Sequence, residues 1–288
     1  IAKGTGGIGV SFTKLRAAGS PVKTTNTTST GPIPFMKMVD TALFAVSRKG
    51  KKMGAAAVYM ENWHIDFREF IDLRSNSGDP YLRTRYLDTA VFISDEFMRR
   101  VQADEDWYLF DPAEVSDLSE LYGAAFAKRY AYYITQAEAG KLRAYDKLPA
   151  RQQFHRILSS LQATGHPWLT WKDAINLRAL NNNTGTIHLS NLCTEITLPQ
   201  DEHNIAVCNL VSINLSAFLD DATKTWDWPR LEQATRSATR QLDNLVDITT
   251  TPIPEAMNSN LQNRAIGLGF MGLADVLEKL ELSYESEE

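Results

Sequence analysis

The sequence predicts an α/β fold in which the main strands run parallel. Short apolar runs alternate with longer segments that repeat apolar residues at helical spacing, and this alternation is typical of a parallel sheet connected by helices. The chain has 288 residues, of which 43% are hydrophobic and 23% charged, so it can bury a sizeable core. These features indicate a globular protein rather than a disordered or fibrous one.

The first third of the chain contains the clearest alternation. Strands are predicted at 8–12, 54–60 and 87–93, where the sequence has short apolar runs. A helix is predicted at 34–47, and residues 61–64 are predicted to lead into a second helix that continues through Leu73; apolar residues recur at helical spacing in both. We expect the strands to lie in a buried sheet and the helices to cover it.

The rest of the chain adds more helices and further strands. Residues 94–179 are predicted to be largely helical, with the clearest helices at 119–138 and 150–164. One strand is expected to carry residues 190–196 and another to span 204–215. Near the C-terminus, Asp227 is a suitable N-cap for a helix that ends at Ile248, and 263–275 is predicted as a strand followed by a helix.

One segment places three reactive side chains at alternate positions. In an extended strand or a finger loop, Asn191, Cys193 and Glu195 would project into one space. A nucleophilic thiolate usually has a cationic neighbour, but the nearest histidine, His188, is five positions away and on the opposite parity. The adjacent carboxylate opposes thiolate formation. The pattern therefore favours chemistry in which the sulfur stays neutral and Glu195 handles a proton.

Two other motifs favour structural roles. Residues 4–9 contain G-x-G-x-x-G, but no strand precedes them, which favours a tight turn entering a strand over a dinucleotide site. Glu61 and His64 have the E-x-x-H spacing of a diiron ligand pair on a helix, but no second such pair occurs. The remaining histidines are scattered and the two cysteines are spaced C-x14-C, so we predict no metal site.

Composition limits the partners and the compartment. The net charge of −5 argues against a broad surface for nucleic acid or anionic membrane. No apolar run approaches the roughly 18 to 20 residues that a membrane span needs. Two cysteines do not make a disulfide scaffold, and the first residues resemble no signal or transit peptide. We expect a cytoplasmic protein, and we expect the given sequence to begin inside a longer chain.

The segment S-N-L-C-T-E-I at 190–196 and the segment I-A-V-C-N-L-V-S-I-N-L at 205–215 together carry a family resemblance. They resemble the finger-loop motif and the following motif of ribonucleotide reductase large subunits, and the resemblance extends over the whole chain. It implies part of a ten-stranded α/β barrel, with the catalytic cysteine on a central finger loop. Residues 1–288 would then be an internal segment of the catalytic barrel domain.

The resemblance also implies a role for each motif residue. A thiyl radical at Cys193 would remove the 3′-hydrogen of a ribonucleoside diphosphate, Glu195 would accept the proton of the 3′-hydroxyl, and Asn191 would hold the sugar hydroxyls. Cys208 would be one of two reducing thiols, the other lying outside this sequence. Without the resemblance, Cys208 is a small buried apolar residue, the commoner role of a free cysteine in a strand.

Two polar, basic segments acquire roles in the same way. Taken alone, 16–32 and 74–85 are turn-rich solvated loops. By resemblance they are the first and second specificity loops. Effector-binding residues are implied in the first: Arg16, Val22 and Lys23. Substrate-binding residues are implied in the second loop and beside the finger: Gly7, Arg83 and Ser190.

The remaining implications concern partners. The resemblance implies a radical supplied by a separate metal-containing small subunit, with no cofactor bound directly. It also implies dNTP or ATP effectors, thioredoxin or glutaredoxin as external reductant, the remaining large-subunit segments, and a homodimer of the complete subunit. Two alternatives stay open: an adenosylcobalamin-dependent reductase, and a non-catalytic module for nucleotide binding or assembly.

Overall fold

A computed structural model describes residues 6–47 and 54–287 of the chain. It divides into two compact units, Ile1–Pro199 and Gln200–Glu288. In chain order, the elements of the first unit are β1 (Gly7–Ser11), β2 (Ala18–Val22), β3 (Thr27–Thr30), α1 (Ile33–Val46), β4 (Ala55–Glu61), α2 (Phe67–Ile71), β5 (Leu87–Ile93), α3 (Asp95–Ala103), β6 (Asp106–Phe110), α4 (Gly123–Glu138), β7 (Tyr145–Pro149), α5 (Ala150–Thr164), β8 (Trp168–Trp171) and α6 (Lys172–Arg178).

The first unit is built on a parallel sheet with strand order β1-β4-β5-β8. Alternate residues of β4 point to opposite faces. Val58 and Met60 belong to the main apolar cluster, which also includes residues of the helices. Ala57 and Tyr59 belong to a smaller cluster on the other face. Because both faces are buried, the strand reads as a continuous apolar run, and the predicted parallel α/β fold is confirmed.

Two predictions for the first unit are wrong in detail. Residues 94–179 contain three strands as well as helices: β6 pairs antiparallel with β7, and β8 joins the main sheet. These strands have four or five residues and find partners far along the chain, so local periodicity does not reveal them. The first polar loop is partly regular, since β2 and β3 form an antiparallel pair.

The second unit contains a smaller parallel arrangement. Its elements are β9 (Leu210–Asn214), α7 (Trp228–Ile248), α8 (Pro254–Asn263), β10 (Gly267–Met271) and α9 (Leu273–Leu280). β9 and β10 pair in parallel. The Asp227 side chain accepts a hydrogen bond from the Arg230 N–H at 3.0 Å, so the predicted N-cap is confirmed. The strand expected at 204–215 is shorter than predicted: β9 begins at Leu210, and the side chain of the preceding Asn209 donates to Asn260 Oδ1 at 2.7 Å and to the Ala265 carbonyl at 3.1 Å.

Candidate functional site

Residues 190–196, hereafter the finger segment, are irregular rather than a strand. The Ser190 hydroxyl donates to the Ile196 carbonyl at 2.6 Å, and the Ile196 N–H donates to Asn191 Oδ1 at 3.3 Å. These local bonds close the segment into a loop and compete with strand pairing. Thr194 has φ of 72°, a left-handed conformation that is rare for a β-branched residue. The strand prediction is therefore wrong here, and the finger-loop alternative is the one observed.

Two glycines of β1 let the finger segment approach the sheet. A Cβ built on Gly9 would lie 2.9 Å from the Ser190 carbonyl carbon and 3.1 Å from Asn191 Cα. A Cβ on Gly7 would lie 3.0 Å from Leu192 Cβ. Side chains at these positions would push the finger segment away. Gly7 therefore adjoins the reactive motif, and residues 4 and 5 of the glycine motif lie outside the described residues.

Tyr59 fixes the finger segment from β4. Its side chain is fully buried, and its hydroxyl donates to the Asn191 carbonyl at 2.5 Å. Leu192 packs against the small apolar cluster that contains Tyr59. Burial raises the pKa of Tyr59 and the charges of Glu195 and Cys193 raise it further, while a hydrogen bond with Ser190 acts in the opposite direction. The phenol is thus a neutral donor close to the motif.

The anchored finger segment leaves the two central reactive groups accessible. Cys193 and Glu195 are exposed, whereas Asn191 is half-buried and Ser190 is 2% exposed. Asn191 Oδ1 is used inside the loop, but its Nδ2 donates no hydrogen bond among the described residues. That amide nitrogen remains available to a ligand, whereas the Ser190 hydroxyl is already used in closing the loop.

The predicted effector residues lie on one hairpin. Val22 ends β2, Lys23 follows it, and both are close in sequence to the turn before β3. The Arg16 guanidinium donates to the Pro21 carbonyl at 2.9 Å, which holds Arg16 beside the same strand. Arg16 and Lys23 are both exposed, so the hairpin presents two cations to solvent. This arrangement suits a phosphate-bearing ligand.

Buried side chains hold the start of this hairpin. His64 Nε2 donates to the Leu15 carbonyl at 2.8 Å, and Asp66 accepts from the Ala18 N–H at 2.9 Å. Asp111 accepts from the Ala17 N–H at 3.1 Å. Sequence reasoning missed Asp66 and Asp111, because these contacts span 48 and 94 residues and no local pattern marks them.

Arg83 folds back onto its own loop. Its Nε donates to the Ser77 carbonyl at 2.8 Å and its Nη1 donates to the Leu82 carbonyl at 3.0 Å. Gly78 has φ of +93° and leaves room for the guanidinium, since a Cβ there would lie 3.0 Å from Arg83 Cζ. The side chain would have to leave these carbonyls to contact a substrate.

Glu61 and His64 do not form a metal-ligand pair. Glu61 is the last residue of β4, one residue beyond the strand predicted at 54–60, and the helix predicted after 61–64 begins at Phe67. It is buried and accepts from Lys172 Nζ at 2.8 and 2.9 Å and from Trp63 Nε1 at 2.6 Å. His64 binds the Leu15 carbonyl and accepts from the Asp66 N–H. The structural role predicted for both is confirmed.

Burial controls the protonation of these residues. Burial raises the pKa of Glu61, and the neighbouring Lys172 opposes that increase. Burial lowers the pKa of His64 to about 4, so the ring is neutral near pH 7. A neutral ring agrees with its bonds, because one nitrogen donates to a carbonyl and the other accepts from an amide.

Cys208 lies in the second unit, two residues before β9. Cys208 is exposed, and it precedes β9 instead of lying within the strand expected at 204–215. The side chain of the adjacent Asn209 donates to Asn260 and to the Ala265 carbonyl. An exposed sulfur agrees better with a redox role than with a small apolar core residue.

Two features are absent from the part of the chain that the structure describes. Within residues 6–47 and 54–287, no group of three or more His, Cys, Asp or Glu side chains comes together as a metal site. None of the helices in those same ranges combines the length and apolar character of a membrane span.

The chain matches a known protein family over its whole length. Residues 1–288 match the family model described as "Ribonucleotide reductase, barrel domain". Because the match covers every residue, it includes both units and the finger segment.

Individual relatives agree with the family match. The chain is 43% identical over 288 residues to ribonucleoside-diphosphate reductase subunit alpha of Chlamydia pneumoniae, covering 100% of the chain and 27% of the relative. It is 41% identical over 289 residues to the ribonucleoside-diphosphate reductase large subunit of Caenorhabditis elegans, covering 100% of the chain and 36% of the relative. It is 40% identical over 288 residues to the large chain in Cryptosporidium parvum, covering 100% and 35%. The chain thus spans between 27% and 36% of the length of these relatives.

Proposed function

The chain belongs to the ribonucleotide reductase barrel-domain family, and we propose that it forms part of the catalytic barrel of a ribonucleoside-diphosphate reductase large subunit. The observation that carries this proposal is the exposed pair Cys193 and Glu195 on a finger segment that Tyr59 anchors. Since the chain spans only 27–36% of its relatives, further large-subunit segments are proposed partners, and 1–288 is proposed as an internal portion of the barrel.

The proposed reaction assigns a role to each accessible group of the finger segment. A thiyl radical at Cys193 removes the 3′-hydrogen of the ribonucleotide, and Glu195 accepts the proton of the 3′-hydroxyl. The 2′-hydroxyl takes a proton from one of two reducing thiols and leaves as water. The hydrogen of the other thiol adds to the 2′-carbon, and Glu195 returns its proton to the 3′-oxygen. Asn191 Nδ2, which is not used inside the loop, donates to a sugar hydroxyl. The hydrogen then returns from Cys193 to the 3′-carbon, which regenerates the radical.

The reduction also needs two electrons. They come from Cys208 and a second thiol, which become a disulfide, and external thioredoxin or glutaredoxin reduces that disulfide. The exposure of Cys208 supports exchange with a protein thiol. The radical at Cys193 originates in a metal-containing small subunit, and the complete large subunit acts as a homodimer. The Asn-Leu-Cys-Thr-Glu form of the motif favours this class over the adenosylcobalamin-dependent one.

The hairpin that carries Arg16, Val22 and Lys23 is proposed to bind the dNTP or ATP effector. The exposed side chains of Arg16 and Lys23 support this role, and buried side chains hold the start of the hairpin in place. Arg83 is proposed to contact the substrate once its guanidinium leaves the loop carbonyls that it binds here. Gly7 and Ser190 are proposed to line the substrate site through the backbone, because Ser190 uses its hydroxyl inside the finger segment.

The test is formation of deoxynucleotide from a ribonucleoside diphosphate by the complete large subunit, with small subunit, effector and external thiol reductant. We expect Cys193→Ser to abolish product formation with an unchanged unfolding midpoint. Dependence on the small subunit, with no gain from adenosylcobalamin, is expected for the proposed class. Effector binding without any product from the wild-type assembly would instead support a non-catalytic module.

A further inference from the structure

The inner side of α1 carries a buried carboxylate that binds the end of the second loop. Asp40 is 2% exposed, and its Oδ1 accepts from three consecutive backbone N–H groups: Arg85 at 2.8 Å, Tyr86 at 2.7 Å and Leu87 at 3.0 Å. These residues lie where the loop enters β5. One side chain of a helix therefore fixes the backbone at the point where the loop ends.

Lys37 extends this contact to Arg83 itself. It lies one turn before Asp40 on α1, and its Nζ donates to Asp40 Oδ2 at 3.2 Å and to the Arg83 carbonyl at 2.8 Å. Although burial acts to raise it, the pKa of Asp40 is held below its usual value by the backbone N–H groups and by Lys37. The carboxylate is therefore charged, and all its donors are charge-assisted.

The two ends of Arg83 are held by different parts of the molecule. Its carbonyl is bound to α1 through Lys37, whereas its guanidinium rests on the Ser77 and Leu82 carbonyls of its own loop. Directly after it, Thr84 is buried and its N–H donates to the Leu73 carbonyl at 2.8 Å. The side chain can therefore leave the loop carbonyls while the backbone stays fixed to α1.

We propose that Lys37 and Asp40 are positioning residues that set where Arg83 meets the substrate, and thereby the preference among ribonucleotide bases. This inference rests on the proposed function, in which Arg83 contacts substrate. The observation specific to it is the continuous chain of hydrogen bonds from a helix side chain to the Arg83 carbonyl. A shift of α1 would be transmitted to Arg83 through these bonds.

The first experiment compares Lys37→Met with wild type in the complete reductase. Kinetics are measured with two ribonucleoside diphosphates that differ in the base. We expect the ratio of their kcat/KM values to change about tenfold, the worth of one charge-assisted hydrogen bond, and the change to arise mainly in KM. Lys37→Arg retains a donor and should restore the wild-type ratio. Lys128→Met, which alters an exposed lysine on α4, is the matched control and should leave the ratio unchanged.

The second experiment separates this inference from the proposed function. Amide hydrogen exchange of Arg85, Tyr86 and Leu87 is measured in Asp40→Ala and in Asp40→Asn, which keeps an acceptor oxygen. We expect faster exchange at these three amides in the alanine variant and slower exchange in the asparagine variant than in the alanine one. If wild type forms no deoxynucleotide, the proposed function fails, while unchanged exchange in Asp40→Ala would overturn the link to α1. An active enzyme whose base preference is unaffected by Lys37→Met would overturn the inference alone.

Discussion

Two pairs of ionisable side chains in the first unit differ in their burial and in their hydrogen bonding. Glu61 and Lys172 are fully buried, and both carboxylate oxygens and the ammonium are hydrogen-bonded. Cys193 and Glu195 are exposed and lie on a segment with no regular structure. The buried pair joins β4 to α6 across 111 residues of sequence, so it serves the fold. The exposed pair holds no element together and is free to react.

Tyr59 links the strand of the buried pair to the segment that carries the exposed pair. It lies two positions before Glu61, on the same face of β4, and its buried hydroxyl reaches the Asn191 carbonyl. The rigid strand thereby fixes the backbone of the finger segment without occupying its reactive groups. The comparison leads to four predictions. Changes to the exposed pair should affect catalysis, and changes to the buried groups should affect stability.

The largest effect is expected at the exposed carboxylate. Glu195→Gln removes the proposed proton acceptor, so deoxynucleotide formation should fall by about 10² to 10⁴, the usual contribution of a general base. The free energy of unfolding should change by no more than about 0.5 kcal/mol, because the residue is exposed. Steady-state assays and urea unfolding measure the two quantities. Glu202→Gln, at another exposed glutamate, is the control, and a Glu195→Gln enzyme with wild-type turnover would refute the assigned role.

The buried pair should show the reverse behaviour. Lys172→Met leaves the Glu61 carboxylate buried without its cation, which should lower the free energy of unfolding by about 3 to 5 kcal/mol. Replacing both residues, with Glu61→Leu added, removes the uncompensated charge and should recover most of that loss. Urea unfolding of the two variants decides the matter. A loss below about 1 kcal/mol for the single variant would mean that the pair does not stabilise the fold.

A smaller, pH-dependent effect is expected at His64. Its pKa is about 4 in the folded protein and near 6.5 when unfolded, so below pH 6.5 the unfolded chain takes up the proton first. Stability should therefore fall as the pH drops from 6.5 towards 4, by about 2 kcal/mol at pH 5. His64→Gln should flatten this slope, measured as unfolding free energy from pH 7 to 5. His203→Gln removes an exposed histidine and should keep the wild-type slope. Equal slopes in both variants would show that protonation of His64 does not cause the loss of stability.

The smallest effect is expected at the anchor of the finger segment. Tyr59→Phe deletes one hydrogen bond and should cost about 1 kcal/mol of unfolding free energy. The looser finger segment should also let iodoacetamide alkylate Cys193 faster, as followed by mass spectrometry. Tyr132→Phe removes the hydroxyl of an exposed tyrosine and serves as the control. An unchanged alkylation rate would mean that Tyr59 does not restrain the motif.

Sequence reasoning reached the elements that have strong local signals. The apolar run of β5 and the capped start of α7 both appear where the local pattern places them. It failed at β8, whose four residues become a strand only through pairing with β5. For 190–196 it left a strand and a finger loop open, because alternation of side chains does not reveal that Ser190 and Asn191 bind the other end of the loop.

For the candidate site, sequence reasoning selected residues with chemical signatures and did not select the residues that contact their backbone. The motif predicts roles for Cys193 and Glu195, and these roles stay predictions. The contacts of Tyr59 with Asn191 and of Asp40 with the N–H groups that end the second loop span 132 and 45 to 47 residues. Such contacts leave no local spacing to detect, and they emerge only when the fold brings the elements together.

The most direct test of hydrogen abstraction at Cys193 is single-turnover reduction of a ribonucleoside diphosphate that carries deuterium at the 3′-carbon. If Cys193 removes and returns that hydrogen, the deuterated substrate should react more slowly than the protiated one, and Cys193→Ser should form no product from either. Identical rates for the two substrates, or product formation by Cys193→Ser, would contradict the central role of this residue.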